Sequence, residues 1–589
     1  MNKGLLHEFF GGAAPAWRLP LLVACAALLA LAAAVSHFSR SGEGVSVTRV
    51  SIGQTPATLF APESGAPAPV VVIAHGFAGS QQLMQPFALT LAKNGYVALS
   101  FDFPGHGANP QPLAGGTVED EEALDASTRA LLASLGEVVD YARGLTQGDG
   151  RIALLGHSMA SDIVIRYARE HPEVDATVAV SAFSHEVTPN LPKNLLVVYG
   201  ALEPEMLLDQ GRQMVAQAIP DAGERVLERR NYGSFADGSA RRLVFAGGVE
   251  HIAVLYSAET LAETAGWLDQ AFARTGSGFV DARGGAIGLL YLGLLALAWP
   301  LSRLLPRVSA QPLGAALSWR EAWPVIVLPA LATPLLLAYT PSDLLPLLLG
   351  GYLVQHFALY AALSALGLFW VERARRRAPA AAALPAWPLL RPAYALGTAG
   401  GTAGEASVAG HGRAAFTAAA PLGPGAATLA GSGPGAATAA GAAGTRRLVL
   451  AVVATSAWCL FAVGLPTGAW VSNFIPDLSR APLIAALLLG TLPFFVVEEW
   501  ATRGAGARRG LVFASRVAFI VSLMLAVAVN ASQLFFLVII IPVILLLFVV
   551  YGLFSEWAYR RTGHPLVGAV ASALSFAWLI AVSFPVMAR

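Results

Sequence analysis

Ser158 is the residue in this chain whose surroundings most clearly could do chemistry. A short apolar run leads into Gly156-His157-Ser158-Met159-Ala160, and a helical pattern follows. A strand that turns sharply into a helix leaves room only for small residues on either side of the turn. Gly156 is one of them, and Ala160 stands where Gly is more usual. The spacing predicts a nucleophile elbow, with Ser158 as the nucleophile of an acyl-transfer reaction.

A serine nucleophile needs a base that takes its proton and a carboxylate that orients the base. His251 follows the last predicted strand and is the candidate base, although a lone loop histidine can also be merely solvated. Glu203 and Glu205 follow the preceding strand. We take Glu203 as the first choice for the carboxylate and Glu205 as the second. The alternative is that either carboxylate only favours the N-terminus of the following helix.

The reaction also needs two N–H donors that hold the oxyanion. One is predicted to be the backbone N–H of Met159, directly after the serine. The other is predicted to be that of Phe77, in the loop His75-Gly76-Phe77-Ala78-Gly79 that follows a buried strand. Small residues let this loop approach a substrate closely. An ordinary glycine-rich turn is the competing interpretation.

Residues 44–275 alternate strand and helix patterns around these positions. Eight strands are predicted, near 45–52, 57–60, 69–74, 96–101, 151–157, 176–181, 195–199 and 242–245. The first two are expected to form an antiparallel pair. Such alternation is typical of a mostly parallel sheet with helices on both faces. Parallel strands carry their catalytic loops at one common edge.

The chain order Ser158, Glu203, His251 resembles the α/β-hydrolase superfamily, more narrowly its esterase, lipase and dienelactone-hydrolase-like members. The upstream motifs that carry the same resemblance are His75-Gly76-Phe77 and Asp102-Phe103-Pro104-Gly105-His106-Gly107. The resemblance covers about residues 45–275. It implies an eight-stranded sheet, a Ser-His-acid ester hydrolase without a cofactor or metal, and a structural rather than catalytic role for Asp102. The short connection 182–194 implies an open pocket, and 223–241 is the segment expected to cover it.

The composition indicates a membrane protein, because 55% of the residues are hydrophobic and only 13% are charged. Nine spans are predicted, near 19–35, 285–305, 322–340, 344–371, 448–471, 481–499, 511–530, 532–554 and 565–587. The net charge of +1 argues against a nucleic-acid partner. Cys25 and Cys459 both lie in apolar runs, so a disulfide framework is not expected.

The predicted domains are an N-terminal anchor over 1–43, a hydrolase domain over 44–275, three spans over 284–371, an Ala/Gly-rich disordered linker over 378–445 and five spans over 446–589. Cleavage of the first segment as a signal peptide is the alternative to an anchor. Arginines concentrate in alternate loops, so the positive-inside rule predicts an extracytoplasmic hydrolase domain, in a bacterial inner membrane. The expected substrate is a small or lipid-like ester. The oligomeric state is not predicted.

Glu498-Glu499-Trp500-Ala501-Thr502-Arg503 resembles the Glu-Glu-x-x-x-Arg motif of the CAAX-protease and bacteriocin-processing family. That family uses intramembrane histidines, and His564 is the only histidine after the motif. We therefore expect the two carboxylates to pair with nearby arginines at the membrane interface. An intramembrane protease stays an alternative. So does a polytopic transporter or scaffold whose hydrolase-like domain only binds.

Overall fold

A computed structural model describes residues 17–63, 65–115, 121–219, 225–377 and 434–588 of the chain. The strands are β1 (Val45–Ile52), β2 (Thr55–Pro62), β3 (Ala68–Ala74), β4 (Val97–Phe101), β5 (Gly148–His157), β6 (Ala176–Val180), β7 (Leu195–Gly200) and β8 (Arg241–Ala246). The helices among them are α1 (Arg18–Gly42), α2 (Gln85–Lys93), α3 (Glu121–Arg143), α4 (Met159–Glu170), α5 (Glu205–Ala216) and α6 (Ala258–Ala271).

The eight strands form one sheet in the order β1-β2-β4-β3-β5-β6-β7-β8. β1 pairs with β2, and β2 with β4, in antiparallel fashion. All the other neighbours are parallel, from β4 and β3 through to β8. The prediction of a mostly parallel eight-stranded sheet that opens on an antiparallel pair is confirmed.

Helices cover both faces of the sheet, because its central strands are apolar on both sides. β3 is buried over its whole length. Val71 and Ile73 face a core that includes Phe87 and Trp267, from α2 and α6. Val70 and Val72 face the opposite core, which includes Leu135 and Val164 of α3 and α4. Alternate residues of one strand thus hold two helical layers, as a doubly covered sheet requires.

The rest of the described chain is helical and apolar. Its helices are α7 (Gly284–Ser302), α8 (Trp319–Leu337), α9 (Gly350–Arg377), α10 (Pro434–Ala457), α11 (Val463–Trp470), α12 (Ala481–Thr502), α13 (Leu511–Val529), α14 (Ala531–Leu534), α15 (Leu537–Thr562) and α16 (Pro565–Ser583). In the described part of the chain, nine helical stretches are long and apolar enough to cross a membrane. They correspond to the nine predicted spans, and the protein is an integral membrane protein.

A cluster of phenylalanine rings lies inside this bundle. The rings of Phe357, Phe494, Phe519, Phe548 and Phe576 contact one another in stacked, tilted and edge-on pairs. Leucines on the outside of the same helices remain exposed, as lipid-facing residues are. The bundle therefore has a cluster of aromatic rings in its interior and an apolar exterior.

The tract predicted to be a disordered linker differs from the structure at its end. Residues 378–433 lie outside the described residues, as do residues 1–16, which precede the predicted first span. From Pro434 the chain is helical and continues into α10. The physical reason is local: proline is well suited to the first turn of a helix, and the following run is rich in alanine, the strongest helix former.

Candidate active site

Ser158 lies between β5 and α4 in a strained backbone conformation, with φ 53° and ψ −119°. A side chain at position 156 would place its Cβ 2.4 Å from the carbonyl oxygen of Ala160, so only glycine fits there. Strain of this kind is maintained when the surrounding structure fixes it, and it is common at functional sites. The geometry is that of a nucleophile elbow.

The structure brings Ser158, His251 and Glu203 into one hydrogen-bonded line. Nε2 of His251 lies 2.9 Å from Oγ of Ser158. Nδ1 of His251 lies 2.8 Å from Oε2 of Glu203. The Glu203 side chain is fully buried, whereas the imidazole is about 29% exposed. The serine and histidine are thus reachable from outside, and the carboxylate is not.

Glu205, the second choice for the carboxylate, is not in this line. It lies in the first turn of α5 and is exposed. Its carboxylate forms an ion pair with Arg212, at 2.7 Å. The structure therefore places Glu203 beside His251. Glu205 lies where a carboxylate favours the N-terminus of α5, which is the role considered as the alternative for either residue.

The loop after β3 lies against the elbow. A Cβ at Gly76 would come within 3.0 Å of the Cβ of Ser158 and within 2.8 Å of Nδ1 of His157. The loop then closes in a tight turn, with the N–H of Gly79 donating to the carbonyl of Gly76 at 3.0 Å. Among the described residues, the backbone N–H groups of Phe77 and Met159 donate to no acceptor. Both are therefore open to a ligand oxygen near Ser158.

Ser181 is a contributor to the site that sequence reasoning missed. Its hydroxyl donates to Oε1 of Glu203 at 2.7 Å, and the N–H of Gly200 donates to the same oxygen at 2.8 Å. These two donors fix the carboxylate so that its other oxygen faces His251. The signal available in the sequence was the place of Ser181 directly after β6, beside the strand that carries Glu203.

His157, directly before Ser158, is a second contributor that sequence reasoning missed. Nε2 of His157 lies 2.9 Å from the carbonyl oxygen of His251. A carbonyl only accepts, so this nitrogen carries the proton and donates. Burial, and next the neighbouring His251, lower the pKa of His157 to about 3. The ring is therefore neutral at neutral pH and holds the backbone of the base in place.

Asp102 is fully buried behind the loop after β3. Its carboxylate accepts from the N–H of Gln81 at 2.7 Å, from the Gln81 side-chain amide at 2.9 Å and from the N–H of Ala108 at 3.0 Å. Burial raises the pKa of Asp102, and these hydrogen bonds oppose the rise. The Asp102 carboxylate joins the loop that contains Gln81 to the loop that contains Ala108. It has no contact with Ser158 or His251.

Three buried histidines near the site predict that acid destabilises the fold. Burial lowers the pKa of His75 to about 4, and that of His106 and His157 to about 3. In the unfolded chain these groups bind protons below about pH 6.5, whereas the folded chain keeps them neutral. Their contribution to stability is complete above pH 6.5 and is lost as the pH falls towards 4. At pH 5 the loss is about 2 kcal/mol for each histidine.

The measurement is the midpoint of thermal unfolding, followed by tryptophan fluorescence of the solubilised protein at pH 7.5 and pH 5. The His106→Gln variant has one such group fewer, so its midpoint should fall less between the two pH values than that of the wild type. Equal falls in both proteins would contradict the assignment of His106 as a proton-sensitive group.

Glu498 and Glu499 lie in the membrane half of the chain, which we define as residues 284–377 and 434–588. Both are buried and ion-paired. Oε2 of Glu499 lies 2.9 Å from Nε of Arg503, and Oε1 lies 3.5 Å from Nη2 of Arg516. Oε1 of Glu498 lies 3.4 Å from Nε of Arg516. Glu498 and Glu499 are 5% and 0% exposed, so they are buried within the bundle, close to the C-terminal end of α12. His564 is the N-cap residue of α16. Its Nδ1 accepts a hydrogen bond from the N–H of Leu566.

Comparisons with known proteins add a family match. The family model described as serine aminopeptidase S33 matches residues 65–222, which include Ser158 and Glu203. None of the curated proteins is significantly similar to this chain.

Several solved structures are similar to part of the chain. One is TT1662 from Thermus thermophilus, at 17% identity and a TM-score of 0.29, covering 38% of this chain and 97% of that one. A protein assigned as a dienelactone hydrolase from Klebsiella pneumoniae is 19% identical, with a TM-score of 0.29 and coverage of 39% and 98%. E-2-(acetamidomethylene)succinate hydrolase is 14% identical, with a TM-score of 0.27 and coverage of 38% and 99%.

The family match falls on the region from β3 to the end of α5, which contains the elbow. The sheet order, the parallel strands around β5 and the strained serine at its end are the features expected of that fold. The part of the chain that runs from β1 to α6 is therefore an α/β-hydrolase domain, carried by an integral membrane protein.

Proposed function

We propose that this protein is a membrane-bound serine hydrolase that cleaves carboxylic esters. The observation that carries the proposal is the continuous line of hydrogen bonds from Oγ of Ser158 through His251 to Glu203. A serine hydroxyl is a weak nucleophile at neutral pH unless a base takes its proton as it attacks. The line supplies that base, and the buried carboxylate stabilises the imidazolium that forms.

The reaction follows from this arrangement in two steps. Oγ of Ser158 attacks the acyl carbon while Nε2 of His251 takes the hydroxyl proton, and the N–H groups of Phe77 and Met159 donate to the oxyanion. The C–O bond then breaks, and the proton passes from His251 to the leaving alcohol. In the second step His251 removes a proton from water, which attacks the acyl carbon. The bond from that carbon to Oγ of Ser158 then breaks, His251 returns the proton to Oγ, and the acid is released.

The surface around the site supports an apolar ester as the substrate. Four large apolar side chains, on the loops after β6, β7 and β8 and in the first turn of α5, are between 43% and 68% exposed, namely Phe183, Leu202, Met206 and Ile252. Leu202 adjoins Glu203, and Ile252 adjoins His251. An exposed apolar rim beside a few polar groups is a usual feature of sites that bind apolar ligands. A lipid-like ester suits such a rim and suits a protein held in a membrane.

The arginine distribution among the predicted loops supports an extracytoplasmic hydrolase domain, on the outer side of a bacterial inner membrane. There the enzyme would meet esters in the outer leaflet or the surrounding solution. This orientation is part of the proposal.

The test is covalent labelling with a fluorophosphonate probe in whole membranes, because the probe reacts with an activated serine. Mass spectrometry should map the label to Ser158, and the Ser158→Ala variant should carry none. The same variant should lose turnover of a short-chain p-nitrophenyl ester. If the wild type is not labelled, or if the label maps elsewhere, the domain only binds its ligand, as a transporter-associated or scaffold domain would.

A further inference from the structure

The membrane half reaches into the hydrolase domain at the loops behind the oxyanion site. Two loops are involved: 75–81, which carries Phe77, and 102–113, which lies behind it. Segments from three places in the membrane half contact them, namely 472–480, 536 and 584–588. This inference rests on the proposed function, since it concerns how the same site is held.

Arg480 makes the most specific of these contacts. It precedes α12 and is only 1% exposed. Its guanidinium donates to the carbonyl oxygens of Ala581 at 2.6 Å and Phe584 at 2.9 Å, both at the end of α16. The third hydrogen bond goes to the carbonyl oxygen of Gly105, at 2.8 Å. One buried cation thus ties the loop 102–113 to the end of the last membrane helix.

The C-terminal segment reinforces this tie. The N–H of Val586 donates to the same Gly105 carbonyl at 2.9 Å, and the N–H of Leu113 donates to the carbonyl of Val586 at 2.8 Å. A Cβ at position 105 would lie 2.6 Å from the Val586 carbonyl oxygen, so the close approach requires glycine. The loop 102–113 is thus held at Gly105 and at Leu113 by the backbone of Val586.

The loop 102–113 in turn contacts the loop 75–81, which we call the oxyanion loop. The N–H of Phe103 donates to Nε2 of His75 at 3.1 Å, next to Gly76 and Phe77. The buried carboxylate of Asp102 accepts two hydrogen bonds from Gln81, at the other end of the oxyanion loop. A displacement of Gly105 would therefore be transmitted to both ends of the segment that carries the Phe77 N–H.

Two further contacts act on the oxyanion loop directly. The ring of Phe77 stacks on the ring of Phe536, which precedes α15, with centroids 4.5 Å apart and an angle of 24° between planes. The hydroxyl of Ser80 accepts from the N–H of Asn473 at 2.9 Å. The loop is thus held from the membrane side as well as through Asp102 and His75.

We propose that the membrane half positions the oxyanion loop, and that Arg480 and Phe536 are positioning residues for ester hydrolysis. Neither residue has a contact with Ser158 or His251. Their effect is on where the Phe77 N–H points. An oxyanion donor acts on the transition state more than on the bound ester, and a misplacement near 1 Å can cost about a hundredfold in rate.

The test compares full-length Arg480→Gln, Arg480→Lys and Phe536→Ala with the wild type in detergent. We expect kcat for a p-nitrophenyl ester, and the rate of fluorophosphonate labelling, to fall about tenfold to a hundredfold in Arg480→Gln and in Phe536→Ala. KM should stay within about threefold, because ground-state binding does not use the oxyanion donors. Lysine keeps a cation with three donors, so Arg480→Lys should restore part of kcat.

Arg241→Gln is the matched control. Arg241 is likewise buried, at 0% exposure, and donates to backbone carbonyls, including that of Ala240 at 2.9 Å, but it begins β8 at the end away from the site. Its kcat should equal that of the wild type even if its thermal midpoint falls. If Arg480→Gln does not fold, kcat and the labelling rate of Phe536→Ala test the inference.

Folded Arg480→Gln and Phe536→Ala proteins with kcat within twofold of the wild type would overturn the inference. So would an equal loss of kcat in Arg241→Gln, since any buried arginine would then have the same effect. A wild type that neither labels nor turns over would instead overturn the proposed function, and the inference with it. Labelling of the wild type therefore separates the two failures.

Discussion

Replacing His251 by glutamine should lower kcat for a short-chain ester by about four to six orders of magnitude. The imidazole is the only group within hydrogen-bond distance of Oγ of Ser158 in the described part of the chain that could take its proton. Glutamine keeps much of the size and a hydrogen-bonding end, but it is not a base at neutral pH. The measurement is steady-state hydrolysis of a p-nitrophenyl ester by the solubilised full-length protein.

His171→Gln is the control for this experiment. His171 follows α4 on the surface, where its ring stacks on Tyr167 with centroids 4.1 Å apart. Its replacement should leave kcat unchanged. A His251→Gln protein that retains more than about one hundredth of wild-type activity would contradict the role given to His251, because removal of a true general base costs far more.

Replacing Glu203 by glutamine should lower kcat by about four orders of magnitude, because an amide can present its N–H₂ group to His251 and favour the wrong tautomer. The carboxylate has a single task here: Oε2 accepts from Nδ1 of His251 at 2.8 Å while Oε1 is fixed by Ser181 and Gly200. Kinetics of the purified variant give the size of the loss.

Glu205→Gln serves as its partner experiment, since the two glutamates are two residues apart and only one faces the histidine. This variant loses an exposed ion pair with Arg212, which contributes little to stability. Its kcat should stay within twofold of the wild type. Equal losses in the two variants would show that the carboxylates act through the local fold and not through His251.

The sequence predicted the sheet and the order of the site residues because each candidate follows a strand, and parallel strands bring their loops to one edge. It could not decide between Glu203 and Glu205, since both stand within five residues of the end of β7. The choice depends on how the loop after β7 packs against the loop after β8, and Gly200 permits their close approach. A Cβ there would lie 2.4 Å from the carbonyl oxygen of Val249, just before His251.

His157 and Arg480 show what pattern reasoning leaves out. His157 directly precedes Ser158 on the elbow, and its ring reaches a backbone carbonyl that no sequence pattern marks. Arg480 lies between two predicted spans, 448–471 and 481–499, and nothing in its sequence context indicates a partner. Its partners are three backbone carbonyls far away along the chain, and such contacts follow from tertiary packing alone.

The hydrogen bond between Gly105 and Val586 also constrains the order in which parts of the protein fold during synthesis. These residues are about 480 positions apart. At a synthesis rate of roughly 5–20 residues per second, the partner of Gly105 emerges roughly half a minute to a minute and a half after it. The sheet can form early, on its own short-range pairings. The loop 102–113 gains its contacts with Val586 only after that residue has been synthesised, so a shorter nascent chain lacks them.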